Sequence, residues 1–221
     1  MKTYLSYVKA QSAWNPCLSN LEKFLSDPQP HRNTCHITAL EFFTGDARHS
    51  ARSIRISQLR SELHDNQCSR NSRYGTDSYF ERVDRNEGDL LGRILIVEDL
   101  TKEVIEVLGS CLDIDPLFFA GHIHSPWMEI SNQTPEMATL PSRTRPEKYA
   151  NIHYHRAIEF KEVSMPVRKL LRDANVPRKV MVLPLSDNLQ HIGLAQHCTS
   201  IFKTTQVDKT WLGGWIIKYV T

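Results

Sequence analysis

The apolar side chains of this chain fall into short blocks with distinct spacings. Leu18, Leu21, Phe24 and Leu25 share one helical face, and Pro28 and Pro30 stop it. The spacing predicts a helix over Leu18–Leu25 inside an N-terminal arm of residues 1–32. CHITALEFF, from Cys35 to Phe43, is β-branched and aromatic and is bounded by Thr44-Gly45-Asp46, which predicts a strand. SIRISQLRSEL, from Ser53 to Leu63, alternates like a strand in its first half and turns helical in its second. Residues 64–76 are polar without period and are read as an exposed loop. RILIV, Arg93 to Val97, is the continuous apolar run of a strand buried on both faces.

Thr101 then stands where a helix N-cap belongs, with Glu103 in the first turn at the positive end of the helix dipole. Val104, Val107, Leu108, Cys111 and Leu112 form an apolar helical stripe. Gly109 costs such a helix about 1 kcal/mol relative to alanine, so it predicts close packing against a neighbour. Asp113-Ile114-Asp115-Pro116 breaks that helix, and Pro116 opens a short one through Ala120. Residues 125–149 read as a long surface loop with four prolines. Asn151–Phe160, Val180–Leu185 and Trp211–Val220 read as strands, with a basic, helix-like segment over Val167–Asn175. The order predicts an α/β fold, or α+β, with a mixed sheet flanked by helices and one core spanning residues 33–221.

Composition narrows the function classes. With 221 residues, 40% hydrophobic and 24% charged, the chain has the make-up of a globular domain, not of a disordered one. Lys+Arg 27 against Asp+Glu 25 is too balanced to point to nucleic acid or an anionic membrane. Arg48, Arg52, Arg55, Arg60, Arg70 and Arg73 do make residues 48–85 locally basic. Acidic residues interleave them, so a salt-bridged face is expected and no nucleic-acid partner. The five cysteines show no CxxC pair, which suits a reducing, cytoplasmic setting. No apolar run is long enough for a transmembrane segment, so no membrane insertion by this chain is expected. GxSxG, GxxxxGK[ST], GxGxxG and HExxH are all absent, which removes the common hydrolase, nucleotide-binding and zinc-peptidase signatures.

The block RILIVEDLTKEVIEVLGSCLDIDPLFFAGHIHSP, Arg93 to Pro126, resembles the cytosolic domain of CorA-like divalent-cation transporters, in particular the divergent fungal-type branch. SRTRPEKYANIHYHRAIEF (Ser142–Phe160) and the closing WLGGWIIKYV are similar to later strand regions of that branch. The resemblance implies a cytosolic α/β/α domain that answers to Mg²⁺ or a related cation and, in the transporters, assembles as a ring. The chain lacks the stalk helix, the membrane helices and the Gly-Met-Asn signature. The expectation is therefore a CorA-like module without its pore, divalent-cation-responsive or devoted to protein interaction, as a monomer, a homo-oligomer or with a protein partner.

Two sets of side chains are candidates for metal chemistry. His122 and His124, and His153 and His155, are HxH pairs. On strands each pair would point both rings to one face, and neighbouring strands would gather four imidazoles for Zn²⁺. The plain alternative is incidental surface or packing histidines among the ten present. Asp113 and Asp115 offer hard oxygen ligands of the kind Mg²⁺ takes, or else ordinary helix-stop chemistry. Glu98 and Asp99 end the RILIV strand, where α/β folds place functional groups. The alternative function is a small stand-alone enzyme of a specialised biosynthetic pathway, using His122, His124, His153, His155 or Glu98 in acid-base or metal-assisted chemistry. No organic cofactor is indicated.

Overall fold

A computed structural model describes residues 3–28, 34–44, 49–68, 90–123, 148–160, 168–171, 174–176, 178–183, 191–205 and 210–217. The described strands are β1 (His36–Phe43), β2 (His49–Ile54), β3 (Leu90–Glu98), β4 (Tyr149–Phe160), β5 (Arg168–Leu171), β6 (Arg178–Val182), β7 (His191–Thr205) and β8 (Trp211–Ile217). They form one mixed sheet in the order β2-β1-β3-β8-β7-β6-β5, with β4 also paired to β7. The β3–β8 pairing is parallel and the others are antiparallel. Along one edge of β7 runs β4. The opposite edge is shared, β6 taking residues 193–195 and β8 taking 199–205.

The helices are α1 (Tyr4–Ser12), α2 (Ser19–Ser26), α3 (Ile56–Cys68), α4 (Lys102–Leu112) and α5 (Pro116–Ile123), with a 3-10 turn at Pro16–Leu18. Their buried residues pack in one cluster with Ile37, Ala39, Leu95, Val97, Phe202, Leu212 and Ile216. Within each strand these sheet residues share one parity, so the described helices lie together on one face. The two N-terminal helices belong to that same core through Tyr4, Val8, Leu18, Leu21 and Leu25.

Local sequence explains the joints. Thr101 caps α4, its hydroxyl accepting from the Val104 amide at 3.4 Å. Gly109 is where α1 crosses α4, because a Cβ there would lie 2.5 Å from the Tyr4 ring. The same tyrosine donates its hydroxyl to the Ile114 carbonyl at 2.7 Å. Glu106 reaches from α4 to accept from the Tyr4 and Leu5 amides at 3.0 and 2.7 Å, so a carboxylate from another helix satisfies the start of α1. Two expectations need correction, and in the first residues 64–68, read as loop, are the last turns of α3. Residues 168–171 form strand β5 where a basic helix was expected, because all four pair antiparallel with Arg178–Met181 on β6. The longest strand, β7, and helix α1 were not foreseen.

Between β1, β2, β3 and α3 the sheet holds a charged core. Arg93, at 9% side-chain exposure, donates to Glu41 at 2.5 Å, and Arg52 bridges Glu41 and Glu62 at 3.1 and 2.6 Å. Burial works to raise the Glu41 carboxyl. The Arg52 hydrogen bond and the Arg93 and Arg52 charges outweigh it and hold the group below its ordinary value. Glu62 is lowered chiefly by its hydrogen bond from Arg52. Arg52, one of the locally basic residues, is thus bound in an ion-pair network.

Candidate functional site

Where α5 crosses β4 and β7, polar side chains meet inside the protein. Ser200 of β7 lies 2.8 Å from Nδ1 of His122 and donates its hydroxyl to Oδ1 of Asn151 on β4. Cys198, one pair along, has its sulfur 3.6 Å from the Ser200 hydroxyl, 3.9 Å from the Gly121 carbonyl and 4.0 Å from Nε2 of His153. Gly121 is required at the crossing, since a Cβ there would come within 2.2 Å of the Asn151 amide nitrogen. His122 and Ser200 are fully buried and Cys198 is 1% exposed.

The protons of this cluster can be assigned from its acceptors. An amide oxygen has no hydrogen to give, so the Ser200 hydroxyl hydrogen points at Asn151, and Ser200 accepts the Nδ1 hydrogen of His122. A serine whose proton is held this way is not being deprotonated by that histidine. The arrangement fastens α5 to the sheet through a chain of hydrogen bonds.

The sequence candidates distribute as follows. His122 sits in helix α5, not on a strand, so the strand geometry assumed for its HxH pair does not apply. His124 lies outside the described residues. His153 and His155 are exposed on β4, where the i, i+2 spacing does put them on one face. Among the described residues His122 and His153 approach one another by way of Ser200 and Cys198. Among the described residues no three His, Cys, Asp or Glu side chains come together in a way that would hold a metal ion.

Asp113 is the left-handed C-cap of α4 (φ 50°), and Asp115 accepts from the Leu117 amide at 2.8 Å at the start of α5. Both are exposed. Asp99, also left-handed (φ 58°), ties a distant segment to the end of β3. It accepts from the Asn175 amide at 2.8 Å, and its carbonyl accepts from the Asn175 side chain at 3.2 Å. Burial, helped by the Asp99 charge, pushes the nearby Cys35 thiol up to about 12. Glu98 faces the opposite side of the sheet from the helices.

That opposite side is the second notable surface. The ladders place Thr38, Ile96, Trp215, Ile201 and Ala150 in one row across β1, β3, β8, β7 and β4. The next row holds Leu40, Ile94, Gly213 and Lys203, and the row beyond sets Phe42 against Trp211, with ring centroids 5.3 Å apart. Ile152 and Tyr154 extend the apolar surface along β4, where Tyr154 stacks on His197 at 5.4 Å. Ile152, Ile201, Trp215 and Tyr154 are 51%, 43%, 44% and 40% exposed, so this face is apolar at its centre and open to water. Asn151, Cys198 and Ser200 were not singled out from sequence. Their signal is the spacing Cys198, Ser200, Phe202, with small polar residues on a buried face.

Among the described residues these features define an α+β protein, a mixed sheet with its helices on one face. Among the described residues no helix is long and apolar enough to cross a membrane. No family model and no curated protein matches the chain.

Proposed function

We propose that the chain is a protein-interaction module, a CorA-like cytosolic domain, that binds its partner on the face of the sheet opposite the described helices. The observation carrying this reading is the row Ile96, Trp215, Ile201 with Ile152 and Tyr154 beside it, four of whose side chains are 40% or more exposed. Contiguous apolar surface rimmed by polar groups, here Lys203, Thr199 and Glu98, is characteristic of recognition sites. An aromatic such as Trp215 near the centre supplies the anchor such sites rely on. The buried His122–Ser200–Asn151 chain favours this reading over the enzyme, because its hydroxyl is closed to solvent and its proton is committed. A divalent cation enters the same proposal at Asp113 and Asp115, two exposed carboxylates that one Mg²⁺ and its waters would contact together.

The test is affinity capture from the cells that make the protein, comparing the native bait with an Ile201→Ser, Trp215→Ser bait of unchanged far-ultraviolet dichroism. A partner held about ten-fold better by the native bait, equivalent to about 1.4 kcal/mol, supports the reading. Equal recovery refutes it. Melting with Mg²⁺ against chelator tests the cation separately. A saturable rise absent from an Asp113→Asn, Asp115→Asn variant is the expected result.

A further inference from the structure

We infer that β4 is a homodimerisation edge, at which two copies of the chain join antiparallel about a two-fold axis through Ala157 and continue one sheet into the next. β4 spans 12 residues, and among the described strands it pairs only with β7. Residues 152–157 and Glu159 are exposed, on both faces of the strand. A long edge exposed in this way is a template for another strand.

The ladder shows which backbone groups are available. The Lys148 carbonyl accepts from the Lys203 amide at 2.8 Å, and the β4–β7 register runs without a shift from Tyr149↔Phe202 to Phe160↔His191. Even-numbered residues of β4 therefore spend their N–H and C=O on β7, and His155, Ala157 and Glu159 direct theirs outward. The Ile192 carbonyl, which accepts from Leu183 of the β6 side at 2.8 Å, confirms the alternation from the other edge of β7.

A second copy of this chain fits that edge with its two-fold axis at Ala157 better than at His155 or Arg156. A two-fold axis normal to the sheet keeps each side chain on its own face, so odd residues meet odd and even meet even. An axis at Arg156 sets two guanidinium groups against each other, and one at His155 sets two imidazoles together. Moving the axis to Ala157 brings the smallest side chain of the stretch to the self-facing position. It also pairs His155 with Glu159 of the second copy, twice, and Arg156 with Ile158. A carboxylate accepts a hydrogen bond from an imidazole across strands, whereas like charges placed opposite oppose a ladder.

The experiment is sedimentation equilibrium on the whole chain and three variants. Proline at 157 removes only an outward N–H, so Ala157→Pro leaves the β4–β7 ladder intact. Glu159→Lys removes the carboxylate acceptor that faces His155 and leaves an ammonium with no acceptor in its place. The double exchange His155→Glu, Glu159→His rebuilds both pairs with their members reversed. Expected are a native species at twice the 25.5 kDa chain mass, monomers for Ala157→Pro and Glu159→Lys, and a dimer again for the double exchange. Unchanged near-ultraviolet dichroism in the proline variant shows that the fold is kept. A native chain that stays monomeric at about 100 µM, weaker than about 5 kcal/mol of association, overturns the proposal. So does a proline variant that still dimerises, or a double exchange that does not. A dimer abolished by Trp215→Ser but not by Ala157→Pro moves the interface to the sheet face and overturns it too.

Discussion

Replacing Gly109 by alanine in the middle of α4 should destabilise the protein, although the same change in a free helix would stabilise it by about 1 kcal/mol. The added Cβ would lie 2.5 Å from Cε2 and Cζ of Tyr4, closer than side-chain carbons approach. The ring cannot swing aside cheaply. It is 5% exposed, its hydroxyl is bonded to the Ile114 carbonyl at 2.7 Å, and it meets Phe119 edge-on at 6.0 Å. Moving it forfeits about 1 kcal/mol for the hydrogen bond and about 1 kcal/mol for the aromatic contact. Crowding costs about 1 kcal/mol or more besides, leaving a net loss of about 2 kcal/mol after the helix gain. In urea melts followed by dichroism the midpoint falls, and the thermal midpoint drops by about 4–8 °C for a chain of this size. The sign should reverse in a Tyr4→Ala background, where the methyl has room and only the propensity gain of about 1 kcal/mol remains. A neutral or stabilising Gly109→Ala in the native background, or the same loss in both backgrounds, refutes the reasoning.

Three other outcomes follow from the same geometry. The Glu41 and Glu62 carboxyls titrate below their ordinary values. Their stabilisation is therefore complete above the unfolded-state carboxylate range and is lost as pH falls through the folded values, and Glu62→Gln should flatten the acid limb of a urea-midpoint profile against pH. Gly214→Ala drives a methyl to 1.9 Å from the Phe202 ring, whereas at Gly213 the nearest atom is 3.7 Å away. Adjacent glycines should thus differ sharply in thermal midpoint, with Gly213→Ala near native. Ser200→Ala removes the acceptor of His122 Nδ1 and the donor to Asn151 and should cost about 1–3 kcal/mol by urea melting; a neutral variant would show that the chain of hydrogen bonds does not fasten α5.

Those parts of the fold whose signals are local could be read in advance. RILIV, the Thr101 cap, the stripe from Val104 to Leu112 and the Pro116 start each depend on neighbours within a turn or two, and each appears as β3, α4 and α5. Gly109 announced a close approach, though not that the partner would be Tyr4 from the opposite end of the sequence. Strand β7 was invisible because its buried positions change parity. Gly193, Ala195 and His197 are buried on one face, then Cys198, Ser200 and Phe202 on the other, so neither alternation nor a continuous apolar run results. Without β7 the site could not be assembled on paper, since it supplies Cys198 and Ser200. The histidine pairs pointed to His122 and His153, but the residues between them are a serine and a thiol whose only mark is small size at a buried place. Helix α1 has too weak a stripe to declare itself and is held by Glu106 from elsewhere.

β8 lies between β3 and β7 and is the link that joins the two halves of the sheet. It follows both in the chain, so while the polypeptide is being made each of them presents a bare strand edge until β8 arrives. Such edges invite pairing with the wrong neighbour, and long-range sheet closure of this kind is slow. The nascent protein should therefore be at its most aggregation-prone just before β8 emerges from the ribosome, and that interval is when it would draw most heavily on chaperones.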